Sequence, residues 1–143
     1  MPVVIDDHLL LAALAGTEPP ALREAMTSQA VYTTGCWYYR SARATASGAG
    51  SGPLSGELAA LDPKRRAQAR ASLERLPDAI GLISQRTVVP VMAALRVQRQ
   101  LNMLNAEALA VALVTGASLY ITVDSPLLTA GAEDLKLSYL VLR

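Results

Sequence analysis

Two acidic positions carry most of the chemical promise of this chain. Asp6 closes the apolar run Val3-Val4-Ile5, and Asp7 opens the helical pattern that follows; Asp124 closes Leu119-Tyr120-Ile121-Thr122-Val123 in the same manner. If both runs are parallel strands, both carboxylates reach the carboxyl edge of one sheet, which is where open α/β sheets bind ligands. Mg2+ needs only one or two protein carboxylates and keeps water in the rest of its shell, so this pair suits a Mg2+ or Mn2+ ion. An ion held there would activate a water for attack on a phosphodiester. The same residues have plain structural uses, Asp6 or Asp7 as a helix N-cap and Asp124 as an Asx turn before Ser125-Pro126.

Other reactive types are scarce. Cys36 is the only cysteine and His8 the only histidine, which excludes an intrachain disulfide and a Cys-rich metal site. The segment Cys36-Trp37-Tyr38-Tyr39 invites a nucleophile or a base-stacking surface. A thiol nucleophile needs a neighbouring imidazole, however, and three consecutive aromatics on a helix point in three directions, so a buried inert thiol is expected. Lys64, Arg65, Arg66, Arg70 and Arg75, with Arg86, Arg96 and Arg99, offer a basic surface suited to RNA. Asp62, Glu74 and Asp78 interleave with them, as on an ordinary solvated helix face.

The elements that position these residues follow from pattern. Short apolar or β-branched runs at Val3–Ile5, Ala30–Thr33, Ile80–Ile83, Ser118–Thr122 and Ser138–Leu142 read as buried strands. Helical patterns occupy Asp7–Ala15, the stretch after Pro19-Pro20 to Ser28, a segment starting near Gly35, and Pro63–Leu76 behind the N-cap Asp62. Two more run over Thr87–Gln100 and Leu104–Thr115, the last stopped by Gly116. This alternation predicts an α/β fold, a three-layer α/β/α sandwich on a five-stranded, mostly parallel sheet, in a single domain over residues 1–143. Residues 47–53 (Ser-Gly-Ala-Gly-Ser-Gly-Pro) read as a flexible loop; they lack the Gly-Lys-Ser/Thr ending of a phosphate-binding loop. A formal charge of +1 on 143 residues gives no global field to draw the chain to nucleic acid or membrane, and 52% hydrophobic with 17% charged residues excludes disorder. No apolar stretch reaches the roughly 18–20 residues of a membrane span, and no secretory signal is visible, so a cytoplasmic protein is expected.

The opening Val3-Val4-Ile5-Asp6-Asp7-His8-Leu9-Leu10 and the closing stretch from Leu101-Asn102-Met103-Leu104-Asn105 through Gly116 to Asp124 resemble the PIN domains. These are metal-dependent nucleases that include the toxin half of many bacterial toxin-antitoxin pairs. The resemblance spans nearly the whole chain and implies Asp6 and Asp124 as catalytic metal ligands for Mg2+ or Mn2+. It places Asn105 where the family has a third Asp, as a neutral oxygen ligand. Where the family carries a Glu in the helix after its second strand, Arg40 or Tyr39 stands nearest. Glu107 does not substitute for the third acid, because two residues along a helix is about 200° of rotation. Arg40 would weaken cation binding by repulsion, hold a substrate phosphate, or form a structural pair with Asp6 or Asp124. The expectation is therefore a PIN-like protein with weak or lost catalysis that acts through RNA or a protein partner. The alternative is an active divalent-metal-dependent ribonuclease. RNA, an antitoxin-like partner and a homodimer are what the resemblance implies; no membrane association is expected.

Overall fold

A computed structural model of the chain describes residues 1–46, 52–123 and 125–142. Five strands, β1 (Val3–Ile5), β2 (Val31–Tyr32), β3 (Ile80–Gly81), β4 (Ser118–Ile121) and β5 (Tyr139–Val141), form one sheet in the order β3-β2-β1-β4-β5. Every pairing is parallel, so the expected "mostly parallel" sheet is wholly so. Eight helices lie among the described residues: α1 (Asp7–Ala15), α2 (Pro20–Ser28), α3 (Gly35–Ala46), α4 (Pro53–Ala60), α5 (Pro63–Glu74), α6 (Gln85–Gln98), α7 (Met103–Thr115) and α8 (Pro126–Asp134).

The three layers follow from the period of two along β1. Val3 and Ile5 pack with Leu10, Leu14, Leu22, Leu58 and Leu73 from α1, α2, α4 and α5. Val4 faces the opposite core, with Leu109 of α7, Val88 of α6 and Leu128 of α8. A central parallel strand covered on both faces must be apolar throughout, which is why β1 reads as a continuous run and not as an alternation.

Chain order reverses direction across the sheet at β1. From β1 the chain moves outward through β2 to β3, then returns to lay β4 on the other side of β1. The carboxyl ends of β1 and β4 therefore diverge at a topological switch point, and crevices of open α/β sheets form there. Asp6 follows β1 and Thr122 follows β4 at that point, with Asp6 N–H donating to the Tyr120 carbonyl.

Two helices were not expected from pattern. Pro53, assigned above to a flexible loop, is instead the first residue of α4, with Gly52 as its N-cap at φ +121°; residues 47–51 of that loop lie outside the described residues. Helix α8 starts at Pro126 behind Ser125. Both helices use proline at their first turn, where its missing N–H costs nothing. Strands β2 and β3 are shorter than the apolar runs that suggested them, because the sheet pairs only Val31–Tyr32 with Ile80–Gly81.

Candidate functional site

Asp6 is the anchor of the switch-point cavity. Its Oδ1 accepts the Leu9 N–H at 2.9 Å, so it is the N-cap of α1, while Oδ2 accepts both the Thr122 N–H at 2.7 Å and the Thr122 hydroxyl at 2.8 Å. The cap and the ligand-facing position are the same residue, and the carboxylate ties β1, α1 and the end of β4 together. Burial raises the Asp6 pKa above the usual carboxylate value, and these donors pull against that shift by stabilising the charged form.

A cavity of about 250 Å3 opens beside it, lined by Asp6, Asp7, His8, Arg40 and Asn105 together with Trp37 and Leu128. Asp6 and Asn105 thus line one cavity, the juxtaposition that the resemblance implied. Asp124 lies outside the described residues, although its chain neighbours Val123 and Ser125 line the same cavity. Asn105 is buried in the first turn of α7, where its N–H is capped by the Asn102 side chain at 2.8 Å.

Arg40 corrects one expectation. Its partner among the described residues is Asp7, not Asp6: Nε lies 3.2 Å from Asp7 Oδ2. The contact is an ion pair lying off the hydrogen-bond axis, so the buried Oδ2 accepts no hydrogen bond from the described residues. The Asp7 side chain is 6% exposed and that of Arg40 52%, so a buried carboxylate is answered by a half-exposed cation that fills part of the cavity mouth. Asp7 Oδ1 accepts the His8 N–H, and the Ser41 hydroxyl on α3 donates to the Asp7 carbonyl. This holds α3, and with it Arg40, against the start of α1.

His8, the only histidine, has a structural partner that the sequence reading did not anticipate. Its Nδ1 pairs with Glu57 Oε2 of α4, and this hydrogen bond raises the imidazole pKa above 6.5 against the opposing effect of partial burial. Because α4 itself was not read from the sequence, no spacing signal could have found this pair.

Glu107 faces elsewhere. Its Oε1 accepts the Cys36 N–H at 2.7 Å and its Oε2 accepts the Gln85 side-chain amide at 3.1 Å, which fastens the first turn of α3 to α6 and α7. Burial, then the Glu107 charge, push the Cys36 thiol up to about 11, leaving it protonated and poorly nucleophilic at neutral pH. The three aromatics after it diverge: Trp37 is buried, Tyr38 donates from its hydroxyl to the Leu73 carbonyl, and Tyr39 is 63% exposed.

The basic run on α5 is partly occupied in structure. Arg65 donates to the Ala15 and Gly16 carbonyls at the end of α1. Arg66 donates to the carbonyls of Leu58, Ala59 and Leu61 at the end of α4. Cations at helix C-termini complement the dipole, a structural use that leaves fewer of them for phosphate.

The donors present do not suit a hard divalent cation. Among the described residues, Asp6 spends three of its lone pairs on Leu9 and Thr122, Asn105 is neutral, and the Arg40 cation lines the same cavity, so little anionic capacity is left for such an ion. No group of three or more His, Cys, Asp or Glu is placed to hold a metal among the described residues. No helix among them is long and apolar enough to cross a membrane. No family model matches the chain, and a search of curated proteins finds no match.

Proposed function

We propose that this chain is a PIN-like domain that binds single-stranded RNA at the carboxyl edge of its sheet, with metal-dependent hydrolysis weakened or lost. The observation that carries this reading is Arg40, whose guanidinium shares the cavity with Asp6 and Asn105 and pairs with Asp7. Metal-dependent hydrolysis needs anionic ligands around a hard ion, and a cation lining the same cavity opposes that ion. The same guanidinium is half exposed, and a planar fork of N–H groups is well matched to a phosphate. A fold can persist after its chemistry has gone.

The active-nuclease reading draws on the shared cavity of Asp6 and Asn105 and on the two neighbours of Asp124 that line it. Fluorescence anisotropy with a labelled single-stranded RNA, run with Mn2+ and with chelator, separates the two. The expected result is binding that is indifferent to chelator and about tenfold weaker in Arg40→Ala, the loss of one charge-assisted contact. Chelator-sensitive cleavage of the RNA that disappears in Asp6→Asn would restore the nuclease.

A further inference from the structure

A second and larger concavity adjoins the switch-point cavity. Arg40, Asn102 and Leu104 line both. The groove has a volume of about 840 Å3, between α3, α6 and α7, inside the range of small-ligand sites. Its walls are apolar, with Val89, Met92 and Met103 prominent, and Val89 and Met103 remain half exposed to solvent. Polar groups on it are few and sorted by depth. Glu107 is the one buried carboxylate and forms the floor; Gln85 and Asn102 are exposed beside it; Arg40, Arg96 and Tyr39 stand at the rim.

The hydrogen-bonding capacity left over at the floor is specific. Each Glu107 oxygen accepts one protein N–H, and a carboxylate has about four lone-pair sites, so each oxygen can accept again. Gln85 spends its amide N–H2 on Glu107 and keeps its carbonyl oxygen as an acceptor. Asn102 spends its carbonyl oxygen on the Asn105 N–H and keeps its N–H2 as a donor. The lining therefore offers acceptors on Glu107 and Gln85, which are hydrogen-bonded to each other, and a donor on Asn102. Among the common bases only guanine presents the complement on its Watson–Crick edge: N1–H and N2–H2 donors beside the O6 acceptor. Met92, Met103 and Tyr39 are suited to its flat faces, since thioethers and aromatic rings both pack on π-systems. Arg40 and Arg96 supply the cations a nucleotide phosphate requires.

We propose that this groove is a guanine-nucleotide site. Glu107 accepts from the base N1–H and N2–H, the Asn102 amide donates to O6, and the phosphate is held by Arg96, since Arg40 is already paired with Asp7. The proposal deepens the RNA-binding reading and rests on it for the source of the base; the chemistry is shared by a free guanosine monophosphate and a guanosine within single-stranded RNA. Glu107 also holds the first turn of α3, so its own substitution risks the fold, and the decisive changes are made in the ligand.

Isothermal titration of the full chain with guanosine, inosine, adenosine and uridine 5′-monophosphates forms one arm. Inosine lacks only the N2 amino group and is expected to bind about tenfold or more weakly than guanosine, the usual cost of one lost hydrogen bond to a charged acceptor. Arg96→Ala is expected to weaken the guanosine monophosphate by about tenfold and to leave the unphosphorylated nucleoside unchanged. The other arm compares RNA 6-mers of uridine with and without one internal guanosine. Preference for guanine in both arms supports the site with either source; preference in RNA alone assigns the base to an RNA strand. Guanosine monophosphate binding without any RNA binding keeps the site and removes the RNA-binding reading. RNA that binds equally with or without guanosine, together with no discrimination among the mononucleotides, overturns the site and leaves the RNA reading standing. No binding in either arm overturns both.

Discussion

Single residues at the site carry charges whose effects can be measured separately. The His8–Glu57 pair raises the folded-state pKa of His8, so its contribution to stability is fully present below the unfolded value near 6.5. That contribution is lost as pH rises through the folded value, because deprotonation removes the charge that Glu57 meets. Thermal melts between pH 5.5 and 8.5 should show the wild-type Tm declining more steeply above about pH 6.5 than in Glu57→Gln; identical slopes would mean the pair contributes nothing. Cys36 gives an independent reading of the α3 terminus. With its thiol pushed up to about 11, the thiolate fraction at pH 8 is lower than for an ordinary cysteine by about a hundredfold. Alkylation by iodoacetamide, followed by intact mass, should be slowed by a similar factor, and a rate equal to that of a cysteine-containing peptide would show that Glu107 and burial do not act on the sulfur. Asp6 was legible because it closes an apolar run just ahead of a helical pattern, whereas Asn105 was singled out only by the resemblance to the PIN domains. The Arg40–Asp7 pair was not legible, since adjacent acids at positions 6 and 7 look equivalent until α1 sends one into the cap and the other toward α3.

At the level of elements, the readable signals were those with a local cause. Helix α1 starts on a side-chain cap and ends on Gly16 in the left-handed region, and α7 begins at the Asn102 cap and ends on Gly116 at φ +68°. Both ends are written in residue type. Helices α4 and α8 went unread because each is short and opens with a proline just after a Gly- or Ser-containing turn, a pattern shared with ordinary loops; packing of Leu54, Leu58 and Leu128 into the two cores supplies what their local sequence lacks. Two glycines test this distinction with opposite signs. Gly116 has open space where a Cβ would lie but a positive φ, so Gly116→Ala should cost about 1 kcal/mol. Gly56, exposed in the middle of α4, also has open space and no positive φ, so Gly56→Ala should stabilise by up to about 1 kcal/mol. Urea melts would resolve the pair. Equal signs for the two would mean that α4 is not the helix described or that Gly116 is not left-handed.

The whole molecule sets the terms on which any metal could act. Parallel strand order puts the carboxyl ends of β1 and β4 side by side, and the buried acids Asp6 and Asp7 that follow β1 call for a compensating charge. Arg40 already supplies one, from α3, to Asp7, and lines the same cavity. A ligand that binds only the folded state raises stability by an amount fixed by its concentration relative to Kd: about 2.7 kcal/mol at a hundredfold excess over Kd. For a chain of this length that corresponds to a Tm rise of roughly 5–10 °C. If Arg40 does the neutralising, millimolar Mn2+ should raise Tm by less than about 2 °C, since weak binding gives little linkage. Arg40→Ala should lower Tm, because it strands the buried Asp7 carboxylate, and should make the protein more responsive to Mn2+ by lifting the repulsion. Differential scanning fluorimetry of the wild type and of Arg40→Ala, over a Mn2+ series with a Ca2+ control, measures both quantities. A large concentration-dependent rise in the wild type, abolished by Asp6→Asn, would show that the cavity is a working metal site and that Arg40 stands beside the ion without displacing it.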